Sequence, residues 1–395
     1  MLRGANDMGA RIGRVLMGML AGLVAMRFAD PSALTPQSFQ NGFPSEVSFF
    51  PLGVWLQSPN SAPRYKAMGI NTFVGLWKGP TELQLATLAK YSMFAVADQN
   101  EVGLNSPNRY VIKAWLDSRD EPDNAISMGY GFFRTCIPAT EVVRRSHEMK
   151  GRDPTRPVMV LFGQGIANEF WRGRGLCNGD MNYYNVAVDG ADILAFDIYP
   201  VSSTSPQVKG KLEYVARGVT NLLKRASPEQ AVWNAIETTS LDPQVPVTPA
   251  QVRSEVWMAL VHGSTGIVYF VHEFQPQFRE DAIFRYPETV EEVAKINQLI
   301  TALSPVLKSP NVLGKLTVSS AIPIAIMVKN YDGVLYVFAV AMRNGVCQVK
   351  FSIGEFADGQ ADVVNESRGI KIVGGLFEDS FAGYDVHIYK IPLRS

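Results

Sequence analysis

The stretch Tyr110-Val-Ile-Lys-Ala-Trp-Leu-Asp117 is a mostly apolar run, and Asp120-Glu121-Pro122 follows shortly after it. A second run of the same kind, Ala231-Val-Trp-Asn-Ala-Ile236, leads directly into Glu237-Thr238. Short runs rich in β-branched and aromatic residues predict buried strands. The sequence therefore predicts two strands that each deliver a glutamate at or just beyond the carboxyl end.

Six further apolar runs of similar length predict strands, and helical patterns separate them. They cover residues 47–55, 72–77, 93–97, 157–162, 191–199 and 266–271. Helices are predicted at 61–68, 81–90, 139–150, 211–225, 248–260 and 288–303, with Pro305 and Pro310 marking the end of the last. Strands that are apolar on both faces and joined by helices indicate a parallel sheet, and a count of eight favours a closed (β/α)8 barrel. The doubly wound alternative has only Gly163-Gln-Gly165, which lacks the third glycine of a dinucleotide-binding loop.

The hydrophobic period changes to two after about residue 312. Strands are predicted at 325–330, 334–340, 347–352 and 384–391, which suits a small antiparallel β-sandwich. The predicted organisation is an N-terminal segment at 1–33, a barrel at 34–310 and a β-sandwich domain at 311–395.

The N-terminal segment resembles a secretory signal. Arg3, Arg11 and Arg14 precede a twelve-residue apolar run at 15–26. That run is shorter than the ~20 residues that span a bilayer, so no stable membrane span is expected. Basic residues before a short apolar run predict secretion or a periplasmic location. The alternative is an amphipathic helix packed on the barrel of a cytoplasmic protein.

The composition narrows the classes of partner. The chain has 37 basic and 37 acidic residues and no basic stripe, which argues against nucleic acid. The four histidines are scattered and no CxxC or HExxH motif occurs, so neither a metal nor a cofactor is expected. Cys136 and Cys177 fall in predicted loops and could pair in an oxidising compartment, or all three cysteines could be free thiols.

In a closed parallel barrel the strand carboxyl ends and the loops after them meet at one rim. Polar and aromatic residues at this rim are the candidates for contacting a polar, largely neutral substrate. The predicted substrate-binding residues are Asp120, Tyr199, Trp55, Trp77, Gln99, Gln164, Trp171, Tyr269 and His272.

Glu121 and Glu237 are the predicted catalytic pair. Glycoside cleavage needs one protonated carboxyl at the leaving oxygen and one ionised carboxylate at the anomeric carbon. A separation of about 5 Å gives a covalent intermediate, whereas about 6.5–9.5 Å leaves room for water. Apolar strand flanks suit the raised pKa that the acid requires.

Glutamates after strands four and seven of such a barrel, followed by a β-sandwich, resemble clan A of the retaining glycoside hydrolases. The resemblance implies that Glu121, in Asp120-Glu121-Pro122, is the acid/base and that Glu237 is the nucleophile. It also implies that Tyr199 lies near the nucleophile and that an aromatic residue of strand eight underlies the sugar. Asp120 replaces the asparagine of the clan's Asn-Glu-Pro motif, and an ionised aspartate cannot donate a hydrogen bond to a sugar hydroxyl.

The expected function is thus retaining hydrolysis of β-linked oligo- or polysaccharides. Two alternatives are a catalytically inactive carbohydrate-binding barrel and a metal-dependent barrel hydrolase. An open cleft with close carboxyl groups favours the enzyme, glutamates locked in salt bridges favour the binding protein, and a divalent ion between strand ends favours the third.

Overall fold

The computed structural model describes residues 38–117, 121–124, 136–171, 179–241 and 245–393. Eight strands pair in parallel in chain order, and the eighth closes on the first. They are β1 Leu52–Trp55, β2 Thr72–Val74, β3 Phe94–Ala97, β4 Ile112–Leu116, β5 Val158–Phe162, β6 Ile193–Asp197, β7 Ala231–Glu237 and β8 Gly266–Phe270. The predicted (β/α)8 barrel is confirmed.

Helices follow the strands and form the outer layer of the barrel. They are α1 Ala62–Ala67, α2 Glu82–Lys90, α3 Glu101–Asn105, α4 Ala139–Arg152, α5 Tyr184–Ala187, α6 Glu213–Leu223, α7 Pro249–Val261 and α8 Pro287–Leu307. Thr81 and Thr248 each begin a helix with a full capping box, which satisfies exposed amides of the first turn. The predicted end of the last helix at residue 303 is wrong, because α8 continues through Pro305. The proline removes one amide donor, and Lys308 N still donates to Ser304 O.

Apolar side chains fill the inside of the barrel. One buried cluster contains residues from seven of the eight strands, among them Trp233 of β7 and Val268 of β8. The ring of Phe43, from the chain before β1, packs on Trp233 with 5.3 Å between centroids. Gly266 is needed beside this indole, since a Cβ there would lie 2.5 Å from its ring atoms. The interior is therefore a packed core, and any substrate site belongs at the rim.

The C-terminal region forms two antiparallel sheets that face each other. One has the order β10-β11-β16-β13-β14 and the other β15-β12-β9. The strands are β9 Leu316–Ser320, β10 Ile324–Tyr331, β11 Val334–Ala341, β12 Cys347–Ile353, β13 Gly359–Val363, β14 Arg368–Ile372, β15 Leu376–Phe381 and β16 Val386–Pro392. The predicted β-sandwich is confirmed, although it holds four strands more than the sequence predicted. The additional strands, β9, β13, β14 and β15, are short and contain many polar residues.

Helices α7 and α8 join the barrel to the five-stranded sheet. The ring of Trp257 on α7 stacks on Phe338 of β11, with centroids 5.6 Å apart. Ser254 Oγ donates to Tyr384 O at 2.6 Å. One hydrophobic core runs from the barrel helices to the face of this sheet that is turned away from the three-stranded sheet. The sandwich therefore holds the helix that follows β7.

The N-terminal segment 1–33, with its predicted signal, lies outside the described residues. Within the described ranges no helix combines the length and apolar character needed to cross a bilayer. Cys136 takes part in a disulfide and Cys347 is a buried free thiol, whereas Cys177 falls outside the described ranges.

Candidate active site

Glu237 is the last residue of β7, and only 1% of its surface is exposed. Its carboxyl accepts hydrogen bonds from the chain that follows β6. Val201 N donates to Oε1 at 2.6 Å, while Ser202 N and Ser202 Oγ donate to Oε2 at 3.0 and 2.5 Å. Three donors on one carboxyl group stabilise its ionised form, because each hydrogen bond is stronger to an anion.

A second carboxyl group, that of Glu255 on α7, lies against Glu237. Glu255 is completely buried, and burial together with the charge of Glu237 raises its pKa well above the usual range. Burial also raises the pKa of Glu237 to about 7, against the opposing effect of the hydrogen bonds from Ser202 and Val201. Two buried carboxyl groups in contact favour a state with one shared proton. Sequence reasoning missed Glu255; the available signal was a glutamate on the same helical face as Val252 and Ala259.

Glu121 lies at the ends of β4 and β5. Its amide donates to Leu161 O at 3.1 Å, which fixes the backbone at the barrel rim. Its φ of +49° places it in the left-handed region, an uncommon conformation for a glutamate. The carboxyl group lies over Gly163, where an added Cβ would be 3.0 Å from Oε2. Gly163 therefore leaves room for this carboxyl group, and Asp120 lies outside the described residues.

Asp123 and Asn124 support the chain that carries Glu121, and sequence reasoning missed both. Asp123 is buried, and its two oxygens accept from Gly163 N at 2.8 Å and from the Tyr184 hydroxyl at 2.6 Å. Asn124 Oδ1 accepts from the indole of Trp171 at 2.5 Å. Trp171 is thereby placed beside the chain that carries Glu121. The signal in the sequence was the direct succession of Asp123-Asn124 after Glu121-Pro122.

Two predicted residues, Tyr199 and His272, meet around the end of β8. The ring of Phe270, the neighbour of Glu237 in the β7–β8 ladder, packs on Tyr199 at 4.9 Å and on His272 at 5.0 Å. Trp55, half-buried at the end of β1, packs against the cluster inside the barrel. Tyr199 and His272 thus lie together on the side of the rim formed by β6 to β8.

The remaining predicted residues lie elsewhere. Tyr269 is fully buried on the outer face of β8, where its hydroxyl donates to Asn297 of α8 at 2.7 Å. Gln99 Nε2 donates to Met149 O of α4 at 2.8 Å. Gln164 is half-buried in the turn after β5, and Trp77 after β2 is 63% exposed. The structure does not bring Tyr269 or Gln99 to the Glu237 carboxyl.

Among the described residues, the Glu237 carboxyl forms no salt bridge. In the described part of the chain, its carboxyl meets hydrogen-bond donors and the Glu255 carboxyl, with no arginine or lysine paired to it. The described residues also contain no cluster of three or more histidine, cysteine or acidic side chains arranged to hold a metal ion.

Comparison with known proteins gives the fold class and no more. No protein-family model and no curated protein sequence matches the chain. A solved maltogenic α-amylase from Thermotoga neapolitana superposes with a TM-score of 0.50 at 7% identity, covering 88% of this chain and 99% of that one. A GH30 endoxylanase from Clostridium papyrosolvens gives 0.46 at 13% identity, with 91% and 98% covered. An endo-β-1,4-mannanase from Thermotoga petrophila gives 0.45 at 12%, with 90% and 99% covered. The superposition on the maltogenic α-amylase shows a shared fold.

Proposed function

We propose that this protein is a retaining glycoside hydrolase that cleaves β-linked oligo- or polysaccharides. The supporting observation is the placement of two glutamates, Glu121 and Glu237, on one rim of a closed parallel barrel. Glu121 follows β4 and Glu237 ends β7, the positions that the resemblance to clan A assigns to the acid/base and the nucleophile. Solved glycoside hydrolases with the same fold are consistent with this class of reaction.

In the proposed reaction Glu121 protonates the leaving glycosidic oxygen while Glu237 attacks the anomeric carbon. A bond forms between Glu237 and the sugar, and the bond to the leaving group breaks. Glu121, now ionised, then removes a proton from water, which attacks the same carbon and releases Glu237. The proton that Glu121 gives to the leaving group in the first step is replaced by a proton from water in the second step. The reaction therefore requires no cofactor.

Access to Glu237 is the main structural requirement of this proposal. Because the side chain is 1% exposed, one of its oxygens must exchange a hydrogen bond for the sugar. The Ser202 hydroxyl is the group best suited to leave, since it can rotate away from Oε2 while the Ser202 amide stays in place. Substrate binding would then free Oε2 of Glu237 from the Ser202 hydroxyl, so that this oxygen can attack the sugar.

The same burial favours a second candidate function, a carbohydrate-binding barrel without turnover. A carboxyl group with a pKa of about 7 and 1% exposure is also what a purely structural glutamate shows. The two candidates differ in one respect, which is whether the Glu237 carboxylate ever bonds to a sugar.

Covalent labelling tests this difference directly. The protein is incubated with dinitrophenyl 2-deoxy-2-fluoro-β-glycosides of glucose, galactose, mannose and xylose, then digested and mapped by mass spectrometry. We expect a sugar adduct on Glu237 with one of these reagents, because the fluorine slows the second step more than the first. An adduct on another residue, or none with any reagent, contradicts the proposal.

Matched variants make the labelling specific. Glu237→Gln should give no adduct, because the amide is a poor nucleophile. Glu291→Gln removes an exposed glutamate of α8 and should label like the unsubstituted protein. Glu121→Gln should still label with the dinitrophenyl reagents, whose leaving group needs little protonation, but should lose ~10²–10⁴-fold in kcat/KM on substrates with poor leaving groups.

A further inference from the structure

We propose that Glu255 is a positioning residue that carries a proton at neutral pH and uses it to donate a hydrogen bond to Glu237, which keeps Glu237 ionised. Its effect on turnover rests on the proposed function, whereas the location of the proton does not.

Glu255 lies in an environment that cannot hold a carboxylate. The side chain is 0% exposed, and neither of its oxygens accepts a hydrogen bond from a described residue. Its neighbours along α7 are Val252, Val256 and Ala259, all fully buried. An ionised carboxylate without donors in such surroundings costs several kcal/mol or more. Protonation removes the charge and turns Glu255 into a donor, and the Glu237 carboxyl is the acceptor next to it.

Glu237 has the opposite surroundings. Three donors from Val201 and Ser202 satisfy both of its oxygens, and these hydrogen bonds favour the anion. The two carboxyl groups therefore share one proton unequally. It stays on Glu255, which has no donors, while Glu237 keeps the negative charge and gains a fourth donor.

Among the described residues, no second titratable group competes for this proton. Of these residues, Glu237 is the titratable group that acts on Glu255. Towards Glu237, the groups that act are the Ser202 hydroxyl, the amides of Val201 and Ser202, and Glu255. Within the described ranges the pair thus stands as a single negative charge between the chain after β6 and helix α7.

Contacts between α7 and the β-sandwich also help to fix the position of Glu255. Ser254 and Trp257, on the same helix, are bound to the β-sandwich through Tyr384 O and the ring of Phe338. These contacts fix the backbone of α7, so that a shift of the helix away from Glu237 would break them. The β-sandwich thus contributes indirectly to the orientation of Glu237.

Infrared spectroscopy locates the proton without any need for activity. At pH 8 the unsubstituted protein should show the C=O stretch of one protonated carboxyl group, shifted on exchange into D2O. Glu255→Gln should lose this band, whereas Glu237→Gln should keep it, because Glu255 then remains buried beside a neutral amide. Glu291→Gln, at an exposed site, should leave the band unchanged.

Three results overturn the proposal. No protonated carboxyl band at pH 8 means that both groups are ionised. A band that survives Glu255→Gln belongs to another residue. A band lost in Glu237→Gln places the proton on Glu237, and this last variant gives the answer even where Glu255→Gln does not fold.

Kinetics then test the positioning role in the active protein. Glu255→Leu removes the donor, so the acidic limb of the pH profile of kcat/KM should move upward by about one pH unit. Glu255→Gln retains an N–H donor and should restore the limb towards its original position. A role in folding alone would lower activity in both variants without moving the limb. If no glycoside is hydrolysed, the infrared result still decides where the proton lies.

Discussion

His272 is a buried histidine whose protonation state affects stability. It is 3% exposed, and burial lowers its pKa to about 4. The hydroxyl of Tyr65 donates to Gln57 Oε1, which turns the Gln57 amide nitrogen towards Glu280 O and His272 Nε2. When the Gln57 amide donates to His272 Nε2, that nitrogen carries no proton and the ring is neutral, which agrees with the lowered pKa.

The sign of the resulting pH dependence follows from the two pKa values. The folded pKa of His272, about 4, lies below the unfolded value near 6.5, so the unfolded chain binds the extra proton first. The contribution of His272 is complete above pH 6.5 and is lost as the pH falls towards 4. Over this window the free energy of unfolding should fall by roughly 3 kcal/mol because of this residue.

Chemical denaturation between pH 4 and 7 measures this effect. His272→Gln cannot be protonated, so its free energy of unfolding should fall less between pH 7 and 4 than that of the unsubstituted protein. His147→Gln, at an exposed site on α4, is the matched control and should follow the unsubstituted protein. Parallel pH curves for the unsubstituted protein and His272→Gln would show that folding does not lower the pKa of His272.

The rim residues show what single positions in a sequence can predict. The placement of Glu237 at a strand end was predictable, since an apolar run of strand length ends there. Asp123 and Glu255 were missed because their importance lies in contacts with Gly163 and Glu237, about 40 and 18 positions away. Tyr269 was placed in the site from its position near the end of β8, but the strand turns this side chain outward to Asn297. Contacts between distant segments decide such cases, and periodicity does not contain them.

At the scale of elements, the loop after β8 presents an aromatic surface beside the candidate site. Phe274 and Phe278 are 51% and 63% exposed, with ring centroids 5.7 Å apart. The amides of Glu273 and Arg279 each donate to the other residue's carbonyl, which makes the loop a short hairpin. His272 stacks on Phe278 with an interplanar angle of 21°. Exposed rings on a fixed loop are typical of a binding surface.

Phe278→Ala tests whether this surface contacts substrate. Because the ring is largely exposed, we expect the free energy of unfolding to change by less than about 0.5 kcal/mol. The KM for an oligosaccharide should rise by about three- to tenfold through loss of stacking, with little change for a short aryl glycoside. Tyr331→Ala, at the last residue of β10, is the control and should change neither KM. Equal effects on both substrates would place Phe278 in the reaction site itself rather than in a remote subsite.

Elements differed in how well the sequence predicted them. The barrel strands were found because burial on both faces makes them continuous apolar runs, such as Val158–Phe162. Strands β13 and β14 of the sandwich, Gly359–Val363 and Arg368–Ile372, were missed because each has one buried face and only two or three apolar positions on it. Such short alternation is hard to separate from a polar loop.

At the scale of the whole molecule, the barrel and the sandwich share one core. The face of the five-stranded sheet that is turned away from the three-stranded sheet contributes Met327, Phe338 and Ile388 to the same buried cluster as the barrel helices. Separating the two parts would expose this face and the side of α7 that carries Ser254 and Trp257. We therefore expect them to unfold together, with a single transition and equal calorimetric and van't Hoff enthalpies.

A double-mutant cycle on Trp257 and Phe338 measures how strongly the two parts are coupled. Each ring is fully buried at their junction, so Trp257→Leu and Phe338→Leu should each destabilise the protein by about 1–3 kcal/mol. The stacked pair should show a coupling energy of about 1 kcal/mol in the free energy of unfolding, because removing one ring already removes the contact. Phe351 and Phe377 stack within the sandwich core, with ring centroids 4.5 Å apart, and serve as the control cycle.

If the barrel and the sandwich form one cooperative unit, both cycles shift the same single transition. If Phe351→Leu lowers only the second of two transitions, the sandwich unfolds independently, and the support it gives to α7 and Glu255 is lost while the barrel stays folded.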